Sequence, residues 1–267
     1  MPKTNLSQSR NQKTADAVGS YRSQAKFAKE RFQKAHNLEL EYLRNLRQVV
    51  RQIDSFIRHM APDGIVDNVE ELNQALTNYA RLIRPWAKAV ASRMISQVSQ
   101  SDERAWWNLG KVMGRELRKE LQDTPIGQRT QELLTLQVDL ITSIPLDAAK
   151  RVHELTLKGI TEGQRAGDIA KEIMRQNQVS ASKAICIART EVARTASTLT
   201  QARAEYIGST HYIWRTSRDG DVRDSHRKME GKVVAWDDPP ELDNMTGHAG
   251  CLPNCRCYPE PILPSED

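Results

Sequence analysis

The sequence is poor in aromatic side chains, with three Phe, six Tyr and five Trp in 267 residues. So sparse a supply points to long exposed helices rather than one large compact enzyme core. No apolar run approaches the ~18 residues a membrane span requires, and no membrane partner is expected. The opening MPKTNLSQSRNQKT lacks the apolar core of a signal peptide, so the expected product is cytosolic. Cysteine is scarce too: there are four, three of them between 251 and 257. That crowding argues against a disulfide scaffold and for metal binding or free thiols. The H-E-x-x-H, P-loop and G-x-S-x-G signatures of familiar enzymes are also missing.

What is present builds helices. Hydrophobic residues make up 39% and charged residues 27%, enough core for one or two domains. The formal charge of +5 is compatible with nucleic acid or an acidic protein surface as partner. Residues 1–20 are polar and aperiodic and read as a flexible arm. From Ser23 to Met60, Leu38, Tyr42, Leu46, Val49, Ile53 and Ile57 recur at helical steps, with arginines such as Arg44, Arg47, Arg51 and Arg58 opposite. Ala61-Pro62-Asp63-Gly64 ends that helix. A second helix is expected over Asn68–Val98, kinked or split at Pro85, and Ser101-Asp102 is expected to cap a third through Leu121.

Asp123-Thr124-Pro125 resets the chain. Helices are expected over 127–143 and 146–162, the second with Pro145 at its start. Asp168 caps a short helix, and Ser180 caps a longer one over Ala181–Tyr206 that Gly208 closes. That helix holds Cys186, read as a buried inert thiol. It also holds Arg189 and Glu191, read as structural, with Arg189 forking to a carboxylate or to carbonyls of the following domain. The period then changes to strands at His211–Thr216 and Lys232–Trp236, with helical turns bearing His226 between them. An edge strand is expected around Arg256–Pro259. The fold class is therefore α+β and predominantly helical: a flexible arm (1–20), a helical N-terminal region (21–122), and a segment (123–267) ending in a small α/β domain with short antiparallel strands.

The chemistry concentrates in residues 214–261, where His226, His248, Cys251, Cys255 and Cys257 are the candidate metal ligands. Zinc takes four N/S ligands tetrahedrally, and such a staple suits a module with little apolar mass. Cys255-x-Cys257 is a tighter spacing than C-x-x-C, but in a strand both side chains point the same way and can serve one site. The three cysteines with either histidine would close a structural zinc site. Reduced thiols with hydrogen-bonded histidines are one alternative, and a disulfide formed late, after cell lysis, is another. His226 near Asp221 and Asp224 also permits a metal-dependent nuclease or hydrolase with an open coordination position, and the basic charge permits a DNA-binding protein.

Four blocks in order carry a family resemblance: IPLDAAKRVHELTLKGITEGQRAGDIAKEI, ASKAICIARTEVART, Trp214 with DGDVRDSHRKMEGKVV, and His248 followed by PNCRCYPEP. Together they resemble the phage head morphogenesis domain, the Mu F-like minor head proteins of tailed bacteriophages, over about Thr124–Leu263. The matching positions are Arg189, Thr190, Glu191, Trp214, Asp221, Arg223, His226, Gly231, His248, Pro253, Asn254, Cys255, Arg256 and Cys257. Ala249-Gly250-Cys251-Leu252 is an insertion relative to the commoner pattern and adds a thiol. The resemblance implies a virion component in few copies that associates with the portal during procapsid assembly, in the host cytoplasm, and that influences DNA packaging or ejection. Portal protein, major capsid or scaffolding protein and packaged DNA are the partners it implies. It does not imply an enzymatic activity.

Overall fold

The computed structural model describes residues 6–60, 69–112 and 126–264. The elements run α1 (Leu6–Met60), α2 (Val69–Leu82), α3 (Arg84–Val112), α4 (Ile126–Thr161), α5 (Ala166–Met174), α6 (Gln176–Tyr206), β1 (His211–Thr216), α7 (Asp224–Arg227), β2 (Val233–Ala235), β3 (Glu241–Leu242), β4 (Met245–Thr246) and β5 (Cys257–Pro261). The class is the expected one, predominantly helical α+β.

Helix boundaries follow local chemistry with instructive exceptions. No proline interrupts Leu6–Met60, and α1 runs back through most of the polar stretch expected to be an arm. Glutamine, lysine and arginine need no apolar stripe to favour a helix. Pro85 splits α2 from α3, as expected, and sits in the first turn of α3, where a missing N–H costs no hydrogen bond. Ser101-Asp102 starts no new helix. Both lie inside α3, and the Asp102 carboxylate is an ion-pair partner instead of a cap. Pro145 likewise begins nothing and lies inside α4. In the preceding turn, Thr142 and Ser143 donate their hydroxyls back to Val138 O and Leu140 O, a bonding pattern compatible with a bent but continuous helix. Asp168 falls within the first turn of α5, where Arg165 holds the cap position, and α6 starts at Gln176, ahead of Ser180. The expected stop at 61–64, the reset at 123–125 and the end of the third helix at 113–121 lie outside the described residues.

At the other end of α6 the sequence reading holds. Gly208 takes φ +86°, Gly208 N–H donates to Glu205 O at 2.9 Å and Ser209 N–H to Ala204 O at 2.9 Å. This is the paired 5→2 and 6→1 closure that a left-handed glycine permits.

The chain divides into two compact units, each assembled from stretches that are far apart in the sequence. One unit takes Asn37–Ser96 and Thr130–Val192. Its core includes the fully buried Leu46, Ile53, Leu72, Leu76 and Ile141. A buried polar chain crosses it: Tyr42 Oη donates to Gln137 Oε1 at 2.8 Å, and Gln137 Nε2 donates to Glu191 Oε2 at 2.7 Å. Gly159 belongs here because a Cβ at that position would collide with the Ile169 side chain.

The other unit takes Met1–His36, Gln97–Arg129 and Ala193–Asp267. Phe27, Trp106, Tyr212, Trp214, Trp236 and Leu252 share its core. Its sheet has the order β2-β1-β5, all antiparallel, with Tyr212 opposite Val234 and Thr216 opposite Cys257. β5 is an edge strand, which tolerates Pro259 and Pro261. β3 and β4 form a separate small hairpin between β2 and β5. Asp243 (φ +54°) and Asn244 (φ +60°) make its turn, and two left-handed residues are the mark of a type I′ hairpin.

Candidate metal centre

The centre is assembled from α7 and the approach to β5. Trp214 N–H donates to Lys232 O and Gly231 N–H to Trp214 O, both at 2.8 Å, so the excursion 214–231 is folded back on β1. Gly231 makes that return at φ +80°. The excursion carries α7, and with it His226, over the Trp214 ring: the two rings meet edge to face at 5.7 Å between centroids. β5 pairs with β1 so that Cys257 stands beside Thr216, on the face of the sheet that Trp214 occupies. Cys255 arrives just before the strand, after Asn254 at φ +53°.

The result is one close cluster. His226 Nδ1 lies 3.4 Å from Cys255 Sγ and 3.5 Å from Cys257 Sγ, and all three ligand atoms fall within 4.8 Å of one another. All three residues are buried. Gly250 N–H donates to Cys255 Sγ at 3.4 Å. A hydrogen bond from the Cys257 thiol lowers the Cys255 pKa against the cost of burial, with further help from His226 and Gly250 N–H. The same pairing with Cys255, together with burial, pushes the Cys257 thiol up.

Of the five sequence-proposed ligands, these three come together. His248 lies elsewhere, edge-on to Tyr212 and Trp236 at 5.6 and 5.7 Å, with its Nδ1 3.3 Å from Tyr212 Oη. Burial lowers its pKa. Cys251 is half-buried outside the cluster, and its carbonyl accepts two hydrogen bonds from Arg194, at 3.2 and 3.0 Å.

The other signature residues frame the cluster or lie apart from it. Arg256 pairs with Asp221 at 2.6 Å and Asp219 at 3.2 Å. Arg223 donates to Pro253 O at 3.0 Å, tying the start of α7 to the segment before Cys255. Arg189 faces Glu39 of α1 at 3.6 Å, a carboxylate as expected but not in the following domain. Glu191 is buried in the Gln137 chain. Cys186 is half-buried, 3.9 Å from Thr190 Oγ1.

Sequence reasoning passed over Asp243. Its Oδ2 accepts from Ser225 Oγ at 2.9 Å, lies 3.5 Å from Arg223 Nε, and faces His226 Nε2 at 3.8 Å. The Asp-Asn pair between two short β segments was the available signal for that turn.

Comparison with known proteins identifies the framework. Residues 150–259 match the family model described as Phage Mu protein F like protein. An uncharacterized protein of Haemophilus influenzae is 27% identical over 244 residues, covering 86% of this chain and 54% of that one. Minor head protein GP7 of Bacillus phage SPP1 is 27% identical over 168 residues, covering 54% of this chain and 51% of that protein. An NAD(+)–arginine ADP-ribosyltransferase EFV of Enterococcus faecalis is 30% identical over 125 residues, 42% of this chain and 25% of that one. The chain thus spans about half the length, or less, of these curated relatives. No solved structure matches it. The matched segment runs from within α4 into β5 and includes His226, Cys255 and Cys257. Over residues 150–259 the chain is similar to the Phage Mu protein F like family.

Proposed function

We propose that the protein is a minor head protein of a tailed bacteriophage, a virion component that acts by binding other head proteins. The observation that carries this reading is the family match over residues 150–259 together with the similarity to the SPP1 minor head protein over 168 residues. The portal is the proposed partner during procapsid assembly, with major capsid or scaffolding protein as secondary contacts and an influence on DNA packaging or ejection. Coexpression of the tagged full chain with the portal and capsid proteins of its own phage tests it. Copurification with the portal, and recovery from assembled heads by mass spectrometry, is expected. Heads that assemble without the chain in them, and a portal that never copurifies, would overturn the reading.

A metal-dependent nuclease is the second reading, favoured by one observation, the three-ligand cluster itself. Burial weighs against it: His226, Cys255 and Cys257 are each at most 3% exposed, and a scissile phosphate needs access to the metal. Incubation of the full chain with duplex and single-stranded DNA and zinc, magnesium or manganese is expected to give no cleavage. Cleavage abolished by His226→Ala would replace the binding reading with the enzymatic one.

A further inference from the structure

We infer that the cluster is a tetrahedral zinc-class site in which His226 Nδ1, Cys255 Sγ and Cys257 Sγ are the protein ligands and Asp243 is the carboxylate that orients the histidine. The inference stands on geometry within one unit and is independent of the head-protein reading.

The spacing comes first. With Zn–S near 2.3 Å and Zn–N near 2.0–2.1 Å, tetrahedral angles place a nitrogen and a sulfur ligand about 3.5 Å apart. The two N···S separations are 3.4 and 3.5 Å. A neutral imidazole hydrogen-bonded to a thiol accounts for one such distance, but a single Nδ1 facing two sulfurs equally is the arrangement of a coordination edge.

Charge comes second. Two thiolates and a divalent cation sum to zero, so a loaded centre is neutral and compatible with burial. A buried thiolate without a cation would be costly. Loading releases thiol protons to solvent and leaves the imidazole proton on Nε2.

That proton is the third point. His226 Nε2 is buried and has no hydrogen-bond partner among the described residues, yet Asp243 Oδ2 stands 3.8 Å away. Metal on Nδ1 requires the N–H on Nε2, and a carboxylate is a usual outer partner for that N–H of a metal-bound histidine. The carboxylate is itself held by Ser225 and faced by Arg223, on a turn whose two residues both accept left-handed backbone. The turn brings Asp243 to the Nε2 edge of the imidazole ring.

The test is titration of the reduced full chain with zinc, and with cobalt alone as spectroscopic probe. One ion per chain is expected, with cobalt charge-transfer absorption of two thiolates. His226→Gln, Cys255→Ser and Cys257→Ser each abolish stoichiometric uptake, while Cys186→Ser and Cys251→Ser leave it unchanged. Because the ligand variants can fail to fold, Asp243→Asn is the decisive one. It is expected to weaken zinc affinity about 10–100-fold with the thiolate absorption preserved, and Asp243→Glu to recover part of the loss. No uptake by folded protein, a Cys255–Cys257 disulfide in the purified chain, binding that survives loss of His226, or an absorption of three thiolates that falls with Cys251→Ser would each overturn the ligand set. Wild-type affinity in Asp243→Asn would overturn the role of Asp243.

Discussion

Arg31 of α1 meets Asp102 of α3 at 3.1 Å, and both side chains are buried. The pair is the centre of a larger knot. Asp102 also accepts from Arg203 and from Thr200 Oγ1, and Arg31 reaches Pro259 O of β5 at 3.2 Å. Phe27 and Trp106 supply ring faces to the Arg31 guanidinium at 4.8 and 5.6 Å. Segments far apart in the chain thus converge on one carboxylate within the unit that holds the His226–Cys255–Cys257 cluster.

Removing that carboxylate leaves two buried guanidinium groups without their counter-charge. Asp102→Ala is therefore expected to destabilise the protein by about 3–5 kcal/mol, read as a lowered midpoint in urea unfolding followed by tryptophan fluorescence. A midpoint within error of wild type would show that the knot contributes nothing.

Gly250 is the second test. Its φ is +85°, and a Cβ there would meet Ser197 Oγ and Cys257 O at the edge of the cluster. Gly250→Ala incurs backbone strain of about 1 kcal/mol or more as well as the contact with Ser197. It is expected to slow the reaction of Cys255 with a thiol reagent in metal-free protein, since Gly250 N–H donates to that sulfur and helps lower its pKa. Adding Ser197→Ala relieves the contact but not the φ, so only partial recovery is expected.

In the other unit, Gln137 is fully buried between the Tyr42 phenol and the Glu191 carboxylate. Gln137→Leu keeps the bulk and removes one hydrogen-bond partner from each neighbour. A loss of about 1–3 kcal/mol is expected, measured by chemical denaturation. Gln137→Leu together with Tyr42→Phe should cost less than the two changes summed, because the stranded phenol is gone.

His248 supplies a pH dependence. Burial lowers its pKa from the usual 6.5, so the unfolded chain binds the proton more readily than the folded one. The contribution of His248 to stability is fully present above 6.5 and is lost as pH falls through the folded-state value. Proton NMR of the ring should show a midpoint below 6.5. A midpoint at or above it would contradict the packing against Tyr212 and Trp236.

Much of the fold was legible because the signals were local. The β1 limits follow from a change of period at Gly208, and the end of α6 follows from glycine chemistry. The split at Pro85 follows from a missing N–H. Ser101-Asp102 and Pro145 misled for a common reason: a cap or a proline names a place where a helix can start, while tertiary packing decides whether it does. At Asp102 the partners that settle the matter are Arg31 and Arg203, 71 and 101 residues away.

The candidate metal centre divides the same way. The sequence by itself determined the inventory, two histidines and three thiols in a turn-rich C-terminal stretch, and placed Cys255 and Cys257 close enough to act together. Only the tertiary structure decided which histidine joins them. The antiparallel pairing of Thr216 with Cys257 brings β5 beside the strand that Trp214 occupies. The return at Gly231 lays His226 on that ring, while His248 packs against Tyr212 and Trp236. Asp243 was decided there too. Which residues a strand register and a turn carry to one point depends on pairings between distant segments, and no local period in the chain encodes it.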